Sequence, residues 1–416
     1  MARTQPRIGP LAGSERTAPH LDVDALLDDP DTGIIVCCGS GGVGKTTTSA
    51  ALALRAAERG RKVVVLTIDP ARRLAQSMGI EALDNTPRPV AGLDPSAGGS
   101  LDAMMLDMKR TFDEVVESQA SPEKAEQILS NPFYVALSSS FAGTQEYMAM
   151  EKLGQLYADA SASGRWDLIV VDTPPSRSAL DFLDAPERLS SFLDGRFIRL
   201  LLFPARGPAR LMTAGLNVVT NALTKVLGGQ VLRDLQTFIA ALDSLFGGFR
   251  QRAQKTYRLL QARGTAFLVI AAPEPDALRE AAYFVERLNE ERMPLAGLVV
   301  NRASPMPLGR LSAEQALAAA ERLDPEDPDD AGDPDGTDDV GAGEEPADPG
   351  DTGRLTAGLL RLHADRRRIV ARETRLSSRF STAHPDVPTA VVPALSTDVH
   401  DLDGLRLVGE LLARTG

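Results

Sequence analysis

The sequence predicts an α/β fold of the phosphate-loop NTPase kind: a mostly parallel sheet with helices on both faces, plus a helical insertion subdomain. Three observations predict it. Short apolar, β-branched runs recur along the chain, with helix-like stretches between them. One of them, Ile34–Cys38, leads into Gly39-Ser40-Gly41-Gly42-Val43-Gly44-Lys45-Thr46, which fills the G-x-x-x-x-G-K-[ST] pattern. An Ala-rich helical stretch, Thr47 to Glu58, leads out, so the loop has the strand-to-helix setting it needs.

Residues 1–31 read as an N-terminal tail, with a short helix expected within His20–Asp28. Strands are expected at Ile34–Cys38, Val63–Ile68, Leu168–Val171, Phe267–Ala271, Leu298–Val300 and Ala390–Val392. Runs this apolar suit strands covered on both faces, hence a parallel sheet between helical layers. The core is expected over 32–178, with a helical insertion at 101–160, and again over 264–322. Between them, 179–263 is helix-like; Leu211, Ala214, Gly215, Val218, Ala222 and Val226 fall mostly on one face. Residues 323–353 are rich in Asp, Pro and Gly and read as a disordered acidic linker. A helix–strand–helix unit over 354–416 then completes the core.

The net charge of −12 comes from that linker. Asp324 to Asp351 holds 13 acidic residues and no Lys or Arg; without them, 44 acidic residues face 45 basic ones. A near-neutral folded part gives no electrostatic footprint for nucleic acid. Two adjacent cysteines, Cys37 and Cys38, cannot build a disulfide framework or a four-thiolate zinc site, and suit a core strand in a reducing cytosol. No window has the length and apolarity of a signal peptide or a spanning helix, so a soluble chain is expected.

The chemistry expected of the loop is direct. Glycines let backbone N–H groups face a polyphosphate with no Cβ in the way, and the helix N-terminus adds partial positive charge. Lys45 should reach the β/γ-phosphates, and the Thr46 hydroxyl should ligate Mg²⁺. Asp172 ends the run Leu168–Val171 in Walker B fashion, which places a carboxylate near Mg²⁺. Asp69 ends the run Val63–Ile68 and suits positioning of an attacking water; a helix N-cap is the competing role. Asn301, after Leu298–Val300, offers the donor and acceptor of an adenine edge, although strands also end in Asn for turn reasons.

With these strand ends in order, the chain resembles the arsenite-pump and tail-anchored-protein-targeting ATPases, in an actinobacterial branch. The resemblance rests on Gly39–Thr47, Thr67–Arg72, Asp172–Leu180, Val299–Asn301 and Gly143–Tyr147, and resumes at Pro388–Leu405. It implies ATP and Mg²⁺ as cofactors, with Gly39, Ser40, Gly41, Gly42, Val43, Gly44, Lys45, Thr46, Thr47, Asn301 and Pro393 at the nucleotide. Lys45 and Asp69 become the catalytic residues, and Thr46 and Asp172 hold the metal. It also implies a dimer whose ATP-driven closure controls a hydrophobic groove in 179–263 for a client protein segment, a chaperone or targeting role in the cytoplasm or at the inner face of a membrane. One departure matters. Where the family carries a lysine that crosses the dimer, this chain has Ser40, so the expected partner is a lysine-bearing paralogue, with a second copy of the chain as the alternative. The zinc-clamping Cys-x-x-Cys and the arsenite-binding thiol triad are absent as well. The alternatives are a transporter-coupled ATPase subunit, a small-molecule kinase and a holdase of slow turnover.

Overall fold

Among the described residues, eight strands form one sheet in the order β3-β4-β2-β5-β1-β6-β7-β8. They are β1 (Ile34–Cys38), β2 (Lys62–Thr67), β3 (Arg88–Pro89), β4 (Ser100–Met105), β5 (Leu168–Asp172), β6 (Thr265–Ala271), β7 (Leu295–Ala303) and β8 (Thr389–Pro393). All pairings are parallel except that of the short edge strand β3 with β4. The structure is a computed structural model and describes residues 18–68, 73–80, 83–132, 134–135, 138, 144–174, 251–307, 309–324 and 349–414.

Every residue of β1, β5 and β6 is buried, which requires a helical layer on each face. Because right-handed crossovers are the rule, the β1–β2 and β6–β7 connections, which step in opposite directions, lie on opposite faces. The first carries α2 (Lys45–Glu58), against which the helix Leu402–Leu412 packs. The small side chains of Ala50, Ala51, Ala53, Ala56 and Ala57 let α2 pack closely between the sheet and that helix, and all five are fully buried. The second carries the helix Pro275–Glu290, whose Ala281, Phe284, Val285 and Leu288 face inward at helical spacing.

All six expected strands are present. The sequence reading is corrected at three places. Ser100–Met105 is a sheet strand rather than the start of the 101–160 helical insertion: it pairs along its whole length with β2. Asp102 masks it by breaking the apolar run. In the fold that carboxylate accepts hydrogen bonds from Trp166 Nε1 at 2.9 Å and Arg165 at 2.7 Å, so its burial is compensated. The described part of the tail, residues 18–31, belongs to the core as well. His20 bridges Thr389 beside β8, Leu21 and Val23 are buried, and the Asp24 carboxylate of α1 (Val23–Asp28) is paired with Arg55 of α2. Finally, the helix after the linker begins at Pro349 and runs to Ala383, so it starts within the expected linker, at a residue type suited to a first helical turn. Most of 179–263 lies outside the described residues. Its end, 251–260, is helical and joins the core: Leu260 is buried and Arg252 pairs with Glu151 at 2.8 Å.

Asp102 is buried while the Arg165 side chain is half-exposed. Asp102→Ala strands the buried indole N–H and should cost about 1–3 kcal/mol. Arg165→Ala should cost less than about 1 kcal/mol. Urea unfolding of the two variants checks the difference; equal losses would contradict this account.

Candidate nucleotide site

The expected site residues that the structure describes come from the carboxyl ends of β1, β5, β7 and β8, the edge where open α/β sheets bind ligands. The loop leaves β1 at Gly39, whose φ is +152°; a Cβ there would sit 2.1 Å from the Ile270 carbonyl oxygen of β6. Gly44 has φ +90°, and a Cβ on it would meet Asn301 Nδ2 at 2.2 Å. Only glycine satisfies both the conformation and the contact at these two positions. Ser40 is half-exposed, Gly41 and Gly42 are exposed, and Val43 is buried. Lys45 opens α2, is 5% exposed, and donates from Nζ to the Ser40 carbonyl at 2.9 Å. Thr46 and Thr47 follow in the first turn, both half-buried.

Asp172 is fully buried at the end of β5. Its Oδ2 accepts from Thr46 Oγ1 at 2.7 Å and from Thr67 Oγ1 at 2.9 Å. One carboxylate thus joins the start of α2 to the ends of β2 and β5. Next to it, Thr173 donates from Oγ1 to the Cys37 carbonyl at 2.8 Å and ties the exit of β5 to β1. The sequence reading assigned no role to Thr67, whose significance depends on the pairing of β2 with β5.

Asn301 and Arg302, at the end of β7, both face the loop. Asn301 Nδ2 donates to the Val43 carbonyl at 2.8 Å and an Arg302 guanidinium nitrogen donates to the Gly42 carbonyl at 2.8 Å. A cleft of about 570 Å³ lies over Gly44, Thr46, Thr47, Asn301 and Pro393, and also takes in Gln76, Thr397 and His400. The fold thereby brings Pro393 of β8 to the loop of β1. Asp69 lies outside the described residues, as do 175–180 of the segment following Asp172. Among the described residues no group of three or more His, Cys, Asp and Glu side chains is disposed to hold a metal ion.

A family model described as anion-transporting ATPase matches residues 32–309. The chain belongs to that family. ATP hydrolysis is the enzyme activity that membership carries. The arsenical pump-driving ATPase of Acidiphilium multivorum is 32% identical over 158 residues, 38% of this chain and 26% of that protein, so the chain matches about a quarter of that relative's length. An ATPase ASNA1 homolog of Cryptosporidium parvum is 28% identical over 288 residues, covering 68% of this chain and 70% of the relative. The ATPase BagA of Mycobacterium tuberculosis is 23% identical over 389 residues and is similar nearly end to end, at 91% and 92%. Among the described residues no helix is long and apolar enough to cross a membrane.

The cysteines beside the loop are chemically quiet. Burial pushes the Cys37 and Cys38 thiols up to about 12. At pH 8 the thiolate fraction is then about 10⁻⁴, far below that of an exposed cysteine. Iodoacetamide should leave both unmodified in native buffer and alkylate both in urea, read by intact mass; rapid native labelling would contradict their placement in β1.

Proposed function

We propose that the chain is an ATP-hydrolysing switch whose nucleotide state governs binding of a hydrophobic protein segment, and that it works as one subunit of a heterodimer with a lysine-bearing paralogue. One observation carries the nucleotide part: the Thr46 hydroxyl and the Asp172 carboxylate meet at the foot of the loop that Lys45 closes. Hydroxyl and carboxylate oxygens are the hard donors Mg²⁺ takes alongside phosphate. The donor set fits the ion, and Thr46 and Asp172 would hold it. Mg²⁺ supplies neutralisation of charge on the β- and γ-phosphates.

The chain's own residues do the rest. The N–H groups of Gly42, Val43, Gly44 and Lys45 cradle the phosphates, and Lys45 moves its ammonium from the Ser40 carbonyl to the γ-phosphate. Asp69 orients the attacking water. Asn301 and Pro393 border the adenine end of the cleft. The heterodimer rests on Ser40, which cannot send a cation into a partner's site. The client groove rests on apolar residues that recur at helical spacing in the sequence from Leu211 to Val226, a stretch outside the described residues. The name of one relative, an arsenical pump-driving ATPase, keeps a transporter-coupled role as the alternative.

Lys45→Ala should reduce ATP turnover at least about 100-fold. Unchanged hydrolysis, measured as phosphate release, would refute the assignment. Ser40→Lys should raise the turnover of the isolated chain about tenfold or more, because two copies would then complete each other's sites. If wild-type and Ser40→Lys chains turn over equally, and a paralogue adds nothing to either, the heterodimer reading is wrong.

A further inference from the structure

We propose that Arg302 is a positioning residue for polyphosphate binding, holding the loop open through the Gly42 carbonyl. This rests on the nucleotide reading above and deepens it. Three observations converge on one side chain. Arg302 has φ +60°, one of two non-glycine residues with positive φ among those described. A non-glycine residue in the left-handed region costs of the order of 1 kcal/mol, and such strain persists where surrounding structure imposes it, often at functional sites. Second, the pairing of β7 with β8 shifts between Val300 and Ala303: Val300 faces Val391 and Ala303 faces Pro393, so two residues stand where one would fit. A bulge of this kind re-aims side chains.

The third observation is where they are aimed. In a regular strand, consecutive side chains point to opposite faces. Here Asn301 and Arg302 both point at the loop and bind consecutive carbonyls, of Val43 and Gly42. A peptide unit whose carbonyl is held on one side presents its N–H to the other. Two successive carbonyls held outward keep the next N–H groups, of Val43 and Gly44, turned toward the phosphates. Asn301 is buried and braces the loop from within; Arg302 is exposed, so its bond to Gly42 adds little to the stability of the fold. Arg302 also borders the cleft beside Thr46 and Thr47, where its charge favours a polyphosphate. A strained, exposed arginine tied to the loop serves binding of the ligand rather than folding.

The experiment compares wild type with Arg302→Gly, which removes the side chain and the strain, and Arg302→Lys, which keeps a donor. The readouts are affinity for MgATP carrying a fluorescent ribose substituent, competition by adenosine, thermal unfolding without nucleotide, and KM and kcat. Arg302→Gly should weaken MgATP binding and raise KM about tenfold, leave adenosine competition and kcat within about twofold, and keep or raise the unfolding temperature; Arg302→Lys should recover part of the lost affinity. MgATP affinity within about twofold of wild type in Arg302→Gly, a loss of affinity that accompanies a fall in unfolding temperature, or an Arg302→Lys no better than Arg302→Gly would each overturn the proposal. Lys45→Ala separates it from the broader reading: if wild type binds MgATP no better than Lys45→Ala, the nucleotide site itself is misassigned and Arg302 falls with it.

Discussion

One buried carboxylate organises this site. Asp172 ends a central strand with no exposure to solvent, a costly place for a charge unless donors meet it. Two threonine hydroxyls meet it, Thr46 from the first turn of α2 and Thr67 from the end of β2. The register of β2 on β5, which sets Thr67 opposite Asp172, makes one of those bonds possible. The position of α2 makes the other possible, and that position follows from the loop glycines and the alanine face of the helix. Strand register, helix placement and loop conformation are therefore bound to one group.

The second organising feature is steric. A Cβ at Gly39 would enter the backbone of β6 and one at Gly44 would enter the side chain of Asn301. The loop is squeezed between neighbours on both sides, so its shape is imposed as well as permitted. Gly42 differs: among the described residues, none beyond its chain neighbours comes within 4 Å of where its Cβ would be, and its carbonyl is held by the exposed Arg302. The loop is thus rigid at its two ends and tethered at its tip, an arrangement suited to a cradle that must accept and release a charged ligand.

Legibility differed sharply between kinds of residue. The loop was readable because its chemistry depends on residue types at fixed spacing within one stretch. The strands β1, β2, β5 and β6 were readable because burial on both faces demands continuous apolarity, and β7 and β8 because their runs are apolar and β-branched, although Val391 of the edge strand β8 is exposed. Strand β4 was not, since Asp102 interrupts the run and its partners, Arg165 and Trp166, lie some sixty residues away. Thr67 was unreadable as a site residue for a similar reason: its significance is a hydrogen bond to a residue 105 positions distant. Arg302 carried no signal at all, because a bulge and a positive φ leave no trace in residue type when the residue is neither glycine nor asparagine.

By itself the sequence determined the α/β class, the phosphate-loop pattern, an acidic residue closing the run Leu168–Val171 and a serine at position 40 inside the loop. Each of these is local: a run, a spacing or a single substitution. Only the tertiary structure decided that Pro393 joins the cleft, that Thr46 and Thr67 share one carboxylate, and that Asn301 and Arg302 reach the loop together. Those facts depend on strand order and register, which place residues 105 to 260 positions apart within hydrogen-bonding distance. Local composition encodes which elements form; which of their ends meet is settled by how the sheet closes its core.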